Sequence, residues 1–166
     1  VYPLLGFEHM DFIDDYTNVS YVRKYISDAS DMQHIIETYE NKEAGKPAFI
    51  FNVTMQNHGG YTDVYPNFEN DIQAQYNSDA LNQYLSLIHK TDAALEDLVS
   101  YFSKVDEKTV IVFFGDHQPS DAVANQIEMA SGVDPSDMNS EQQKKRYQVP
   151  YLVWANYDIG EASDQN

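Results

Sequence analysis

Two patterns of apolar positions dominate the chain, one typical of a long helix and the other of buried strands. From Ser78 to Ser103, apolar residues recur every three or four positions, as on one face of an amphipathic helix. The inward positions that this spacing predicts include Leu81, Leu85, Ile88, Leu95 and Phe102. Three apolar runs, at residues 47–54, 109–115 and 149–156, predict strands. The first two show little apolar–polar alternation, which is typical of parallel strands covered on both faces.

The order of these elements indicates an α/β fold. A short helix is predicted from Asp31 to Lys42, and the long helix connects the first strand to the second. Strand, helix and strand within about seventy residues form a βαβ unit with parallel strands. A Ser-x-x-Gln pattern at residues 140–143 predicts a further short helix. No repeat or low-complexity linker divides the sequence. We therefore predict one layered domain over residues 1–166, with a mostly parallel sheet flanked by helices.

Charge and composition exclude several classes of function. The 166 residues include 27 acidic and 10 basic side chains, so the formal net charge is -17 at pH 7. Such a surface repels phosphate backbones, which argues against a nucleic-acid partner and against a polybasic membrane patch. The sequence contains no cysteine, which excludes disulfides, thiolate nucleophiles and cysteine zinc sites. No apolar run reaches the roughly 18 residues of a membrane span.

The second predicted strand delivers two metal-ligating residue types to its carboxyl end. Asp116 and His117 follow the run "VIVFF", with Gly115 before them and Pro119 shortly after. In open α/β sheets, ligands bind beyond the carboxyl ends of the strands. Because the glycine and the proline indicate that the chain leaves the sheet here, both side chains can face one ion. A carboxylate and an imidazole form half a site for Mn²⁺, Mg²⁺ or Zn²⁺. The alternative is an aspartate that caps a helix beside a surface histidine.

His58 is a second candidate, placed just after the first predicted strand. Gly59 and Gly60 follow it and allow a bulky ligand to approach the backbone closely. The alternative is a loop histidine that is hydrogen-bonded to nearby backbone. His34 and His89 lie on the two predicted helices, where we expect them to pack or to be solvated rather than to bind a ligand.

Five segments in order carry a family resemblance: "VYPLLGFEHMDF", "FIFNVTMQNHGGY", "YLSLIHKTDAALEDLVSYF", "TVIVFFGDHQP" and "VPYLVWAN". Together they resemble the sulfatase-type catalytic domain of lipoteichoic acid synthases and related phosphoglycerol transferases, within the alkaline phosphatase superfamily. The resemblance covers nearly the whole chain and is weakest over residues 121–148. It implies an alkaline phosphatase/sulfatase-like α/β fold, of which this chain is the carboxyl-terminal portion.

The resemblance also implies a particular chemistry. In that family a threonine attacks phosphatidylglycerol and holds a glycerophosphoryl group covalently, which then passes to a glycerophosphate polymer or a glycolipid acceptor. One divalent ion, Mn²⁺ or Mg²⁺ in preference to Zn²⁺, is held in part by an Asp-His pair that matches Asp116 and His117. The family's substrate-binding histidine matches His58. Because both segments follow strands, we expect His58 within about 10 Å of His117.

One departure limits what this chain is expected to do alone. The family's nucleophilic threonine and its glutamate ligand lie before the segment at which this sequence starts, so no catalytic residue is assigned here. We expect the isolated chain to be inactive and to bind metal weakly or not at all. The longer enzyme would be anchored by upstream membrane spans and act at the extracellular face of a bacterial membrane. The alternatives are a sulfatase, a phosphodiesterase or a phosphoethanolamine transferase of the same superfamily, or a non-catalytic extracellular binding module.

Overall fold

The structure is a computed structural model that describes residues 2–75 and 78–160. Its helices and strands, in chain order, are β1 (Tyr21–Val22), β2 (Tyr25–Ile26), α1 (Asp28–Glu40), α2 (Asp79–Phe102), β3 (Val110–Phe114), α3 (Asp121–Ala130), α4 (Ser140–Lys145) and β4 (Tyr151–Ala155). Two short 3-10 turns, at Tyr2–Leu5 and Ile13–Asp15, precede them. Helix α2 packs against both α1 and α3 and is the central element of the structure.

Helix α2 confirms the long helix predicted from the apolar spacing, but its buried face is rotated. Ser78 caps it by accepting a hydrogen bond from the backbone N–H of Leu81 at 3.3 Å. Leu87 is fully buried, whereas Ile88, one of the predicted inward positions, is 39% exposed. The rotation arises because neighbouring segments also bury polar positions of this helix, among them Ser86 and Thr91. Amphipathic spacing alone does not reveal such contacts.

Helix α1 begins three residues before the predicted start at Asp31. The hydroxyl of Ser27 accepts from the backbone N–H of Ser30 at 3.1 Å and caps the helix at its first turn. Met32 and Ile36 are buried against the carboxyl-terminal half of α2. The inner face of the β3–β4 sheet packs on the same cluster. This cluster therefore joins the helices to β3, the strand that precedes the Asp-His pair.

The strands pair differently from the prediction. The described residues form two two-stranded sheets, β1–β2 and β3–β4, and both are antiparallel. In the second sheet Val110 lies opposite Ala155 and Phe114 opposite Tyr151. Strand β3 is also not covered on both faces, because Val110, Val112 and Phe114 are about half exposed while the intervening residues pack inward. The expected parallel sheet and βαβ unit are therefore absent from residues 2–75 and 78–160.

The predicted strand at residues 47–54 is not a strand. The segment has no hydrogen-bonded partner strand within the described part of the chain, and a strand exists only when a neighbour completes its ladder. Phe49, Phe51 and Val53 point outward, and the residues between them are partly buried. This alternation has the two-residue period of an extended chain. The segment leads directly into the loop that carries His58.

None of the helices in residues 2–75 and 78–160 is long and apolar enough to cross a membrane.

The short helix predicted from the Ser-x-x-Gln pattern is present as α4. Its cap is Asn139 rather than Ser140, and the reciprocal hydrogen bonds join Asn139 to Gln142. The prediction was wrong by one residue because both side chains are good helix caps.

Candidate functional site

The Asp-His pair lies in the loop between β3 and α3. Strand β3 ends at Phe114, and the backbone N–H of Gly115 donates to the carbonyl of Pro150 at 3.4 Å. Gln118 then donates from its side-chain amide to the carbonyl of Gln148. Both contacts tie the loop to the segment that enters β4. The chain therefore leaves the sheet where the sequence predicted, and its two polar side chains extend into solvent.

The hydrogen bonding of His117 determines which ring nitrogen can bind a ligand. Nδ1 lies 2.7 Å from the carbonyl oxygen of Gln118. A carbonyl only accepts, so Nδ1 carries the proton and donates it. In the neutral ring the lone pair is then on Nε2, which lies 3.6 Å from Oδ2 of Asp116. The side chains of His117 and Asp116 are 71% and 81% exposed, so both atoms are open to a ligand.

Two other His–Asp pairs in the described residues differ from this one in their spacing. His34 Nε2 lies 3.0 Å from Asp11, and His89 Nδ1 lies 3.1 Å from Asp71. These are direct hydrogen bonds, in which the imidazole donates its proton to the carboxylate. The 3.6 Å separation at His117 exceeds hydrogen-bond length. At this wider spacing the Nε2 lone pair of His117 makes no hydrogen bond. In the other two pairs, the ring nitrogen that faces the carboxylate is already hydrogen-bonded to it.

The pair fits a divalent ion in donor type and spacing, but it is incomplete. Two ligand atoms that each lie about 2.1 Å from one ion are about 3.0 Å apart at a right angle and about 3.4 Å apart in a tetrahedron. The Asp116–His117 separation of 3.6 Å lies close to this range. No group of three or more potential ligands occurs in the part of the chain that the structure describes. A four- to six-coordinate ion would therefore need ligands beyond these two.

His58 occupies a separate loop that follows the extended segment 47–54. Its backbone N–H donates to the carbonyl of Met55 at 3.0 Å, which forms a tight turn. The Tyr25 hydroxyl lies 3.2 Å from Nδ1 of His58, and the two rings are in contact at a centroid distance of 5.8 Å. Nε2 is the ring nitrogen without a partner in the described residues. Sequence reasoning missed Tyr25, because 33 residues separate it from His58.

Tyr61 supports the loop that carries His58. Its buried hydroxyl donates to the carbonyl of Asn57 at 2.8 Å, one residue before His58. Burial raises the pKa of the Tyr61 phenol above its ordinary value, and the carboxylate of Asp116 adds a smaller effect in the same direction. The expected separation of His58 and His117 stays a prediction.

A buried polar network supports the start of this loop. Thr91 on α2 donates to Oδ2 of Asp28 at 2.5 Å, and Asp28 at the start of α1 donates its backbone N–H to the side chain of Gln56 at 3.1 Å. Burial raises the pKa of the Asp28 carboxyl from 3.8 to about 6, although the Thr91 hydrogen bond opposes the shift. The sequence offered no signal for this network, since 63 residues separate Asp28 from Thr91.

The chain belongs to the sulfatase family, whose model matches residues 1–166. This match confirms the superfamily that the five sequence segments indicated. The family and the fold together place the chain in the class of proteins with an alkaline phosphatase-like α/β fold.

Two relatives from Rhizobium meliloti (strain 1021) show sequence similarity to the chain. One is described as the capsular polysaccharide biosynthesis protein RkpI and is 29% identical over 118 residues, or 70% of this chain. The other is described as a putative cyclic beta-1,2-glucan modification protein and is 28% identical over 94% of this chain. The chain spans only 20% and 25% of the length of these two relatives.

A solved structure shares the fold. The phosphoglycerol transferase GacH of Streptococcus pyogenes, in complex with sn-glycerol-1-phosphate, superposes with a TM-score of 0.61 at 22% sequence identity. The likeness covers 93% of this chain and 38% of GacH. It confirms the alkaline phosphatase/sulfatase-like fold class.

Proposed function

We propose that this chain supplies part of the active site of a metal-dependent phosphoglycerol transferase. The observation that carries the proposal is the Asp116–His117 pair, whose outward-facing Oδ2 and Nε2 atoms are 3.6 Å apart. The fold shared with a phosphoglycerol transferase supports it. The proposed substrate is phosphatidylglycerol, and the proposed acceptor is a glycerophosphate polymer or a glycolipid.

In this proposal Asp116 and His117 hold a divalent ion, Mn²⁺ or Mg²⁺, together with ligands from outside the described residues. Such an ion neutralises charge on phosphoryl oxygens and activates a coordinated nucleophile. The Gln118 carbonyl keeps the proton of His117 on Nδ1, so that Nε2 stays available as a ligand. The net charge of -17 repels an anionic substrate, but local charge at a site outweighs screened distant charge.

His58 has a different role in this proposal. Its Nδ1 is engaged by Tyr25, and Nε2 is left to contact a substrate. When the Tyr25 hydroxyl donates to Nδ1, the proton of the neutral ring resides on Nε2. Nε2–H of the neutral ring then donates a hydrogen bond to a phosphate or glycerol oxygen. The protonated ring can instead transfer its Nε2 proton to the leaving glycerol oxygen and become a neutral imidazole. General acid catalysis of this kind contributes about 10²–10⁴-fold in rate.

Metal binding can be tested on the chain itself by titrating Mn²⁺ and following histidine ring signals by NMR. We expect weak binding that broadens the signals of His117 well before those of His34 and His89. Asp116→Asn should remove this preference. Asp71→Asn is the matched control, because it neutralises the carboxylate of another His–Asp pair. Equal broadening of His34, His89 and His117 would show nonspecific attraction of Mn²⁺ to the acidic surface and would contradict the proposed site.

The catalytic role requires an enzyme that contains the remainder of the family's active site. In a longer protein carrying this chain, glycerophosphate transfer from phosphatidylglycerol should require Mn²⁺ or Mg²⁺. Asp116→Asn should lower both metal content and turnover. His58→Ala should lower turnover by about 10²-fold or more without changing metal content. Loss of metal in the His58 variant would place His58 among the ligands, and unchanged turnover would remove it from the site.

A further inference from the structure

Arg23 has a backbone conformation that its own residue type does not favour. It lies in the tight turn between β1 and β2 with φ of 57°, in the left-handed region. At this position of a hairpin turn glycine is the usual residue, because a side chain in the left-handed region costs about 1 kcal/mol or more. A residue in a strained backbone conformation points to a role for its side chain.

The side chain of Arg23 is enclosed by the loop that carries His58. Its guanidinium donates to three backbone carbonyls of that loop, those of Gln56 at 2.7 Å, His58 at 2.8 Å and Gly60 at 2.9 Å. It also donates to the side chain of Gln83 at 3.3 Å. Among residues 2–75 and 78–160, no other donor reaches these three carbonyls. The planar guanidinium therefore binds the backbone carbonyls of three alternate residues of the loop, and His58 is the middle one.

The charge of Arg23 is stabilised by this loop rather than by an acid. Arg23 is 4% exposed, and no carboxylate within the described ranges lies at ion-pair distance from it. The rings of Tyr25, Tyr61 and Tyr65 lie 5.6–5.9 Å from the guanidinium carbon. Burying a cation without such partners is costly. Within the described part of the chain, backbone carbonyls, the side-chain oxygen of Gln83 and aromatic faces compensate the charge of Arg23, so the loop and the guanidinium stabilise each other.

We infer that Arg23 is a positioning residue that fixes the loop and the ring of His58. The β1–β2 hairpin acts on this loop at two points. Arg23 holds its backbone, and Tyr25, two residues later, contacts Nδ1 of the imidazole. The side chain of Asn67 in turn donates to the carbonyl of Arg23 at 2.9 Å and holds the turn. The consequence for substrate binding rests on the proposed function, but the positioning itself does not.

The test compares wild-type protein with Arg23→Gly and Arg23→Lys. Glycine suits the left-handed turn, so Arg23→Gly removes the guanidinium while relieving backbone strain. We expect the His58 amide, which donates to Met55, to exchange with solvent at least about tenfold faster in this variant. The His58 ring signals should move as well. Millimolar guanidinium should restore both, because it can refill the vacated space. Arg23→Lys keeps the charge without the planar fork and should resemble Arg23→Gly.

The matched control is Arg146→Lys. Arg146 also holds several partners, Glu128 and Asn125 among them, but it contacts no residue of the His58 loop. It should leave the His58 signals unchanged, with or without guanidinium. Unchanged exchange and ring signals in Arg23→Gly would overturn the inference, as would a change that guanidinium does not reverse.

A measurement on the wild-type protein covers the case in which the Arg23 variants do not fold. The Arg23 guanidinium protons should exchange slowly with water, and rotation about its Cζ–Nε bond should be hindered. Exchange as fast as that of an exposed arginine would overturn the inference. Titration of wild-type protein with sn-glycerol-1-phosphate separates the two proposals. If, in a longer protein that carries the remainder of the active site, the His58 signals do not respond to that ligand while Arg23→Gly still loosens the loop, the proposed function fails and the positioning role of Arg23 is supported.

Discussion

The buried carboxyl of Asp28 should make the stability of this protein depend on pH. Asp28 is fully buried, and one of its two oxygens, Oδ1, has no hydrogen-bond partner in the described residues. Burial raises its pKa from 3.8 to about 6. Because each pH unit is worth about 1.4 kcal/mol, ionising Asp28 in the folded protein costs about 3 kcal/mol more than in the unfolded chain.

The sign follows from linkage. Between the two pKa values the folded state binds more protons than the unfolded state, so stability falls as the pH rises. The contribution of the protonated Asp28 carboxyl to the free energy of unfolding is complete below pH 3.8 and is lost as the pH rises through about 6. The isoelectric point of about 4.3 makes the lower end of this window unsuitable for measurement. Of the total, about 1.4 kcal/mol falls between about pH 5 and about pH 7.5, where the protein is charged.

The assay is urea unfolding of wild-type protein and Asp28→Asn at several pH values across this range. An asparagine is neutral throughout, so the variant should gain about 1.4 kcal/mol relative to wild type between about pH 5 and about pH 7.5. Asp92→Asn is the control, because it removes the same charge from an exposed position of α2 and should not change the shape of the curve. Parallel stability curves for wild type and Asp28→Asn would refute the reasoning.

Three further predictions concern the packing and the hydrogen bonds of the fold. Leu87→Ala should cost about 2–5 kcal/mol in urea unfolding, because Leu87 is fully buried, whereas Ile88→Ala should cost less than about 1 kcal/mol. Similar costs at both positions would contradict the observed face of α2. Asn156→Ala should cost about 1–3 kcal/mol, since this side chain donates to the carbonyl of the last residue of α2 and to two carbonyls after it, and accepts from the backbone N–H of Thr109 before β3. Asn156→Asp, which cannot donate, should not be better tolerated. Tyr25→Phe should change stability by less than about 1 kcal/mol but shift the tautomer balance of His58, read from its ring nitrogen shifts. An unchanged tautomer balance would show that the Tyr25 hydroxyl does not determine which ring nitrogen of His58 carries the proton.

The sequence by itself determined those elements whose signals are local. The spacing of apolar residues placed α2 to within one residue at each end, and the apolar runs placed β3 and β4. It also placed Asp116 and His117 beyond the end of a strand, because a glycine and a proline mark where the chain leaves the sheet. A helix contains its own hydrogen bonds, and a turn depends on a few adjacent residues, so both can be predicted from short stretches.

Only the tertiary structure decided what depends on partners far along the chain. Residues 47–54 have the composition of a strand, but the described residues provide no neighbour to pair with them. Strand β3 pairs antiparallel with β4 rather than parallel with that segment. The contacts of Arg23 with the His58 loop span 33–37 residues, and the contact of Thr91 with Asp28 spans 63. Strand pairing and burial of polar groups are set by whichever segments the whole fold brings together, and no local pattern of residues encodes that choice.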